Sequence, residues 1–304
     1  MNGVFAVAKP GGPGGPTSQD VVGKLKKLFS KSPEYLNTLK SAPKPKKRRR
    51  GPDFIKIGHG GTLDPMADGV LVIGVGSGTK QLQSYLGNCT KRYSSTAMLG
   101  PSTTTYDSAG AILGYSSPSE VDDGKVESVL TEFRGKIQQL PPVFSALKMD
   151  GKPLYQYARE GIPLPRAIEK RECEITTLNA GKLRQEHEYK LPEKTATPEE
   201  IAFAKSVTGD DLETGQAKIG PVFDLSFDVS SGTYIRSLIY DIGCALGTQA
   251  HMVKLTRVQQ GDWELGKNVL PLDLFDKPYE EWWPVLKEVL EEGPKRTYDA
   301  AKCV

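Results

Sequence analysis

The stretch GHGGTLDPMADGVLVIGVG, residues 58–76, joins a constrained loop to a buried strand and is the most informative part of the chain. Three glycines and a proline in its first half predict an irregular loop over residues 58–68. The loop carries a histidine, a threonine and two carboxylates, Asp64 and Asp68, and the apolar residues 70–75 predict the strand. On the residues alone, two interpretations stay open. The loop is either a tight turn whose carboxylates accept bonds from nearby backbone amides, or a rigid loop that presents reactive side chains.

Helical and extended patterns lie on both sides of this stretch. Helical patterns predict helices at 17–29, 124–133, 153–159 and 280–293. Residues 232–247 are predicted to be a strand end that turns into a helix, with one apolar face between residues 235 and 246. Short apolar or partly alternating runs predict further strands at 4–8, 91–100, 172–178, 222–229 and 251–265. Because these elements do not alternate strictly as strand and helix, we expect an α+β fold around a mixed, largely antiparallel sheet.

The composition is that of a globular protein. The 304 residues are 38% apolar and 25% charged, which excludes collagen-like, mucin-like and wholly disordered chains. The four cysteines lie far apart without a CxxC pair, so we expect neither a zinc knuckle nor a disulfide framework, but a reducing compartment. The apolar run 69–76 is too short to span a bilayer, and residues 1–10 do not resemble a signal peptide, so no membrane partner is expected.

The net charge of +3 hides a strong asymmetry. Residues 24–50 hold eleven basic residues and one acidic residue, Glu34, a balance of +10 that leaves −7 for the rest of the chain. The charge is densest in KPKKRRR, residues 44–50, where the neighbouring prolines disfavour a helix. Two interpretations stay open: a solvated insertion that keeps the protein soluble, or an arm that binds nucleic-acid phosphates or serves as a nuclear address.

Weaker motifs do not support a nucleotide or metal site. GVGSGTK, residues 74–80, has Thr79 where a Walker A loop requires glycine. Prolines in GGPGGP, residues 11–16, occupy positions where a dinucleotide fingerprint needs backbone amides. His59 and Asp64 have no further ligand at a suitable spacing, so no metal is expected.

Six stretches together resemble one family. They are KPGGPGGPTS, GHGGTLDPMADGVLVIGVGSGTK, KRYSSTAMLG, FRGKIQQLPPVFSALKMDGKPLYQYAREGIPLPR, SSGTYIRSLIYDIGCALG and HMVKLTRVQQGDW. In this order they resemble the TruB-type tRNA pseudouridine synthases, most closely the eukaryotic, fungal-like members that modify the T-loop uridine at position 55. The likeness runs from Gly3 to Trp263.

The resemblance implies a pseudouridine synthase fold. A catalytic domain over residues 1–263 would carry eukaryote-like insertions at about 30–55 and 180–220, the second partly disordered. Residues 264–304 would form a helical extension, with Trp282, Trp283, Leu286 and Leu290 on its packed side, and no PUA domain. The family's Thr-Asp-Thr element is altered: Thr104 stands where an aspartate is usual, whereas Asp107 matches the later aspartate.

The resemblance also implies the catalytic residues. Asp64 matches the catalytic carboxylate, which must be ionised when the reaction begins, and Arg236 matches the arginine that pairs with it. Tyr93 matches the tyrosine that stacks on a flipped-out base. Tyr234 matches a pocket residue, for which proton transfer and wall packing both stay open.

Other matching positions would bind the substrate. His59 matches the histidine that enters the space left by the flipped nucleotides, while Lys9 and Leu255 match positions that frame the pocket. Thr62 lies in the same motif as Asp64. The basic residues Lys46, Lys47, Arg48, Arg49 and Arg50 are expected to contact RNA or to direct nuclear entry.

The resemblance therefore implies a cofactor-free, monomeric isomerase that binds the T arm of tRNA, with some mRNA uridines as further targets, in the nucleus, the mitochondrion or both. Two alternatives remain. One is a guide-RNA-dependent synthase of the dyskerin type, and the other is an RNA chaperone that binds tRNA without needing its catalytic loop.

Overall fold

The computed structural model describes residues 1–41, 55–209 and 216–297. Its fourteen strands in these ranges are, in chain order, β1 (Gly3–Lys9), β2 (Ile57–His59), β3 (Asp68–Val75), β4 (Lys91–Leu99), β5 (Pro101–Thr103), β6 (Ile112–Tyr115), β7 (Gly135–Gln139), β8 (Lys148–Met149), β9 (Lys152–Pro153), β10 (Arg171–Ala180), β11 (Val222–Val229), β12 (Ala250–Gln260), β13 (Trp263–Glu264) and β14 (Leu270–Pro271).

Eight α-helices are present in the same ranges. They are α1 (Ser18–Phe29), α2 (Pro33–Ser41), α3 (Leu82–Gly87), α4 (Asp123–Leu130), α5 (Leu154–Glu160), α6 (Pro198–Thr208), α7 (Ile235–Ala245) and α8 (Tyr279–Glu292). Strand pairing is mostly antiparallel, and the pairs β1–β14 and β3–β12 are parallel. The expected α+β fold with a mixed, largely antiparallel sheet is confirmed.

The chain divides into two compact units. The first comprises Met1–Arg92 and Thr256–Val304, and the second comprises Tyr93–Leu255. The division passes through β4 and β12, so each of these strands contributes residues to both units. The predicted boundary at residue 263 stays a prediction, because it separates a catalytic region from an extension rather than two packed units.

The first unit is built around β1. This strand runs antiparallel to β3, with Gly3 opposite Val75 and Lys9 opposite Gly69, and parallel to β14. The other edge of β3 pairs with β2 and with the end of β12. Residues 58 and 59, expected in a loop, belong to β2, because the apolar stretch 70–75 offers β2 a paired edge that the local sequence does not reveal.

Helices α1 and α8 complete the core of the first unit. Thr17 caps α1 in a capping box with Asp20, as the predicted helix start requires. The ring centroids of Phe29, Phe275 and Trp282 lie within 5.8 Å of one another. On α8, Trp282 and Leu286 are buried as predicted, but Val289 is the third buried residue of this face. The predicted Trp283 and Leu290 are only half-buried because they lie at the edges of the stripe.

The second unit contains the strand order β4–β11–β10–β7 and two small hairpins, β5–β6 and β8–β9. Predicted and observed bounds coincide for β11, and α7 begins within the predicted strand-to-helix segment. The start of β12 lies beside β4, where the Ser95 hydroxyl donates to the Lys254 carbonyl over 2.6 Å.

The insertion at 180–220 is more regular than expected in its described part. Thr197 and Glu200 form a capping box, with Pro198 at the first position, and begin α6. Residue 184 pairs with residue 222, and Tyr189 and Leu191 pack on Met98, Val222 and Val253. Polar composition concealed this order, but the TPEE sequence at 197–200 is a recognisable helix start.

In the described part of the chain, no helix is long and apolar enough to cross a membrane. Cys89, Cys173 and Cys244 form no disulfide.

Candidate active site

Asp64 lies in the loop between β2 and β3 and is half-buried. The Ala67 N–H donates to its main-chain carbonyl over 3.1 Å, which closes a turn around Pro65 and Met66. At the start of β3, Asp68 Oδ1 is buried and has no hydrogen-bond partner among the described residues. The motif is therefore both a tight turn and a loop that carries two carboxylates, and side chains from other elements hold its backbone in place.

Ser18 holds the residue before Asp64. Its hydroxyl accepts from the Leu63 N–H over 2.8 Å and donates to the Leu63 carbonyl over 3.0 Å. Ser18 is only 2% exposed, and it is the first residue of α1, directly after the Thr17 cap. This two-point contact ties the main chain at position 63 to a capped helix and so limits the freedom of Asp64.

Lys9 holds the residues after Asp64. Its ammonium group, 1% exposed, donates to the carbonyls of Pro10, Pro65 and Ala67 at 2.8, 3.1 and 2.6 Å. Burial lowers the pKa of Lys9 from 10.5 to about 8, although the charges of Asp68 and Asp64 act in the opposite direction. Lys9 thus braces the turn and adds positive charge near both carboxylates.

The Gly-Pro loop after Lys9 approaches the same turn closely. The Gly12 N–H donates to the Met66 carbonyl over 2.8 Å, and a Cβ at Gly11 would lie 2.5 Å from that oxygen. A side chain at position 11 would therefore push the turn away, which explains why glycine is required there.

Arg257 and Gln260 on β12 support the loop from the other side. Arg257 is 1% exposed and donates to the carbonyls of Val70, Gly61 and Thr62 at 2.7, 3.0 and 3.4 Å. Gln260 donates to the Gly60 carbonyl over 2.7 Å. Sequence reasoning missed both residues, because their partners are main-chain groups of a loop distant in the sequence.

His59 and Thr62 lie at the entrance to the loop. The Gly61 N–H approaches Nδ1 of His59 at 3.4 Å, so Nδ1 is an acceptor and the ring proton resides on Nε2. Burial, with a smaller effect of the Arg257 charge, lowers the pKa of His59 below 6.5. Thr62 has an exposed side chain, and its carbonyl is one of the acceptors of Arg257.

In the second unit, Arg236 is buried near the start of α7. Its guanidinium donates to the carbonyls of Thr105 and Phe144 at 2.8 and 3.0 Å. Its Nε lies 3.7 Å from Asp107 Oδ2. Asp107 in turn accepts from the Thr105 hydroxyl over 2.5 Å. Arg236 is 6% exposed and is therefore not a surface charge on the helix.

The altered Thr-Asp-Thr element supplies some of these contacts of Arg236. Thr104 Oγ1 accepts from the Ala111 N–H over 3.1 Å, so it closes the loop locally instead of supplying a charge. Asp107, which matches the family's later aspartate, is the carboxylate next to Arg236.

The remaining predicted residues of the second unit lie on regular elements. Tyr234 precedes α7 and is half-buried, and the Gln139 amide contacts its main chain. Tyr93 on β4 and Leu255 on β12 are 7% and 6% exposed. Gln139 is a further residue that sequence reasoning missed.

The predicted residues are thus divided between the two units. His59, Thr62, Asp64 and Lys9 belong to the first unit, where backbone contacts bring them around one loop. Tyr93, Tyr234, Arg236 and Leu255 belong to the second. The ion pair of Asp64 with Arg236 joins residues of different units and stays a prediction. Lys46, Lys47, Arg48, Arg49 and Arg50 lie outside the described residues.

The described residues contain no cluster of three or more histidine, cysteine or acidic side chains that could hold a metal ion. What the first unit offers is a half-buried carboxylate on a loop braced by a serine, a lysine and an arginine. Such a carboxylate can act as a nucleophile or as a general base.

Comparison with known proteins agrees with this chemistry. Residues 47–197 match the model of the TruB family pseudouridylate synthase N-terminal domain. The chain is 38% identical to tRNA pseudouridine synthase 4 of Saccharomyces cerevisiae, over 96% of this chain and 86% of the yeast protein. It is also 38% identical to tRNA pseudouridine synthase 4 of Schizosaccharomyces pombe, over 91% of this chain and 83% of that protein.

A solved structure shows the same fold. The match is to a chain of the Cbf5–Nop10–Gar1 complex, with a TM-score of 0.54 and 25% identity over 99% of this chain. The chain spans 61% of the length of that solved chain. The extent of the two fungal matches exceeds what a shared fold alone would give, and this chain therefore belongs to the TruB family of pseudouridine synthases.

Proposed function

We propose that this protein isomerises the T-loop uridine at position 55 of tRNA to pseudouridine, with Asp64 as the catalytic carboxylate and without a cofactor. The observation that carries the proposal is the bracing of the Asp64 loop in a chain of the TruB family. Ser18, Lys9 and Arg257 hold its main chain at residues on either side of Asp64. The names of the two fungal relatives support tRNA as the substrate.

The reaction breaks the bond between C1′ and N1 of the uridine and rejoins the ring through C5. An ionised Asp64 opens either of two routes: attack on the nucleotide to form a covalent intermediate, or removal of the C2′ proton to form a glycal. The target uridine must leave the stack of the T loop, and the Tyr93 ring offsets the stacking energy that is lost. Arg236 matches, by resemblance, the family's cation for the catalytic carboxylate.

Replacing Asp64 tests the proposal. Asp64→Asn keeps the size of the side chain but removes both the nucleophile and the base, so pseudouridine formation should fall below detection while tRNA affinity stays within a few-fold. Asp273→Asn, at an exposed position of the same unit, is the matched control and should keep full activity. Pseudouridine mapping of a tRNA transcript after incubation with each protein gives the readout. Turnover by Asp64→Asn, or pseudouridine elsewhere than at position 55, would contradict the assignment.

The likeness to the Cbf5 complex favours one second candidate, a synthase that needs a guide RNA and partner proteins. The two functions differ in what the purified chain can do alone. Modification of a naked tRNA transcript without any guide RNA supports the stand-alone enzyme, whereas activity only after a guide RNA and partners are added supports the alternative.

We further propose that the protein acts as a monomer, that some mRNA uridines are substrates, and that it works in the nucleus, the mitochondrion or both. The KPKKRRR run at 44–50 supports nuclear import. A fluorescent fusion with and without this run tests the location, and transcriptome-wide pseudouridine mapping with the Asp64→Asn protein as background tests the mRNA targets.

A further inference from the structure

Gln139 is a buried polar residue that the chemistry described so far leaves without a role. It ends β7 and is 2% exposed. Its Oε1 accepts from the Tyr234 N–H over 2.8 Å, and its Nε2 donates to the Tyr234 carbonyl over 3.0 Å. One side-chain amide therefore satisfies both main-chain groups of a single residue 95 positions away.

The residue it holds is the entry to α7. Tyr234 is the N-cap of this helix, and its own side chain makes no capping hydrogen bond. The Leu238 N–H donates to the Tyr234 carbonyl over 3.0 Å and so forms the first turn of the helix. Without a side-chain cap, the orientation of the first turn depends on contacts from outside the helix, and Gln139 supplies them.

Arg236 lies in that first turn, and the chain just after Gln139 holds its side chain. The carbonyl of Phe144, five positions beyond Gln139, accepts from the Arg236 guanidinium over 3.0 Å. Pro141 and Pro142 stand between the two contacts and restrict the backbone there. The segment 139–144 thus contacts both the main chain of Tyr234 and the side chain of Arg236.

We infer that Gln139 is a positioning residue for pseudouridine formation, because its amide fixes the start of α7 and with it the placement of Tyr234 and Arg236. The inference rests on the proposed function, in which Arg236 contributes a cation and Tyr234 is the expected pocket residue. Displacing a reacting or charge-stabilising group by about 1 Å can slow an enzyme by roughly 100-fold. The loss should appear in kcat, because substrate binding uses many other contacts with RNA.

The test compares Gln139→Leu with Gln138→Leu. Gln138 is the preceding residue of the same strand and is exposed, so its variant controls for the loss of a glutamine from β7. We expect Gln139→Leu to lower kcat on tRNA by about 10- to 100-fold with KM within about threefold of wild type, and Gln138→Leu to change neither. Thermal unfolding of each protein shows the folded fraction to which kcat is referred.

A second variant keeps the inference open to refutation if Gln139→Leu does not fold. Gln139→Glu retains the acceptor for the Tyr234 N–H, but as a carboxylate it has no donor for the carbonyl. Its kcat should fall between those of wild type and Gln139→Leu. Wild-type kcat in either Gln139 variant, or an equal loss in Gln138→Leu, overturns the positioning role. A wild-type protein that forms no pseudouridine at all instead removes the proposed function, and this inference with it.

Discussion

At the scale of single residues, the buried polar side chains of the candidate site mostly donate hydrogen bonds to main-chain carbonyls. Lys9 and Arg257 each contact three of them, and Ser18 contacts one together with the adjoining N–H. A loop rich in glycine loses much conformational freedom on folding, so its backbone needs such contacts to stay in one conformation.

Ser18 allows the sharpest test of this bracing. Ser18→Ala removes both contacts with Leu63 and leaves a buried N–H and carbonyl without their partner, at a cost of about 1–3 kcal/mol in the free energy of unfolding. Because Asp64 is the next residue, kcat should fall by about 10-fold or more. Ser84→Ala removes a single exposed hydrogen bond in the same unit and is the control. Denaturant titration and steady-state kinetics give both quantities, and a Ser18→Ala protein that behaves like the control would show that the loop is held without Ser18.

His251 predicts how stability depends on pH. Its ring is fully buried, Nδ1 donates to the Pro101 carbonyl over 2.8 Å, and burial lowers its pKa from 6.5 to about 4. The unfolded chain binds a proton near pH 6.5 that the folded protein does not bind until about pH 4, so stability falls as the pH drops through this interval. A shift of this size corresponds to about 3 kcal/mol.

The measurement is the free energy of unfolding at pH 7, 5.5 and 4 for wild type and for His251→Gln, which does not titrate in this range. Wild type should lose about 3 kcal/mol more than the variant between pH 7 and pH 4. Parallel losses in the two proteins, or an imidazole NMR signal of His251 that titrates near pH 6.5, would contradict the prediction.

At the scale of elements, the sequence predicts those whose pattern is complete within one segment. The run at 222–229 and the helical stripe within 235–246 each bury a face that is visible in the local sequence, and both are present as β11 and α7. The short strands β2, β8 and β9 were missed, because two or three residues are too few to show an alternating pattern. The described part of the 180–220 insertion was underestimated for the opposite reason: its helix start was visible, but its polar composition outweighed that signal.

The residues of the candidate site also divide into those that the local sequence reveals and those that it does not. Side chains that carry chemistry belong to recognisable motifs, so Asp64, Arg236 and Tyr234 could be named from the sequence by resemblance. Their supports, such as Gln139 and Arg257, bind main-chain atoms, which are the same at every position and leave no pattern in the sequence. Only folded coordinates reveal which backbone groups need a partner.

At the scale of the whole molecule, charge is distributed very unevenly along the chain. The balance of +10 over residues 24–50 contrasts with −7 over the remainder. Affinity for RNA therefore cannot follow from the net charge of +3, because a phosphate backbone responds to local cations within about 8 Å at physiological salt.

The residues Lys46, Lys47, Arg48, Arg49 and Arg50 should dominate the salt dependence of tRNA binding. Each phosphate that a basic residue neutralises adds about 0.7 to 0.9 to the slope of log affinity against log salt, so replacing all five by glutamine should lower the slope by about 3.5 to 4.5 if each contacts a phosphate. The control replaces the five lysines of the 180–220 segment, Lys182, Lys190, Lys194, Lys205 and Lys218, and removes the same charge elsewhere. Binding isotherms of the full chain from 50 to 300 mM salt distinguish the two variants. A slope that changes equally in both would mean that net charge alone governs binding, and an unchanged slope in the first would mean that these residues do not touch the RNA.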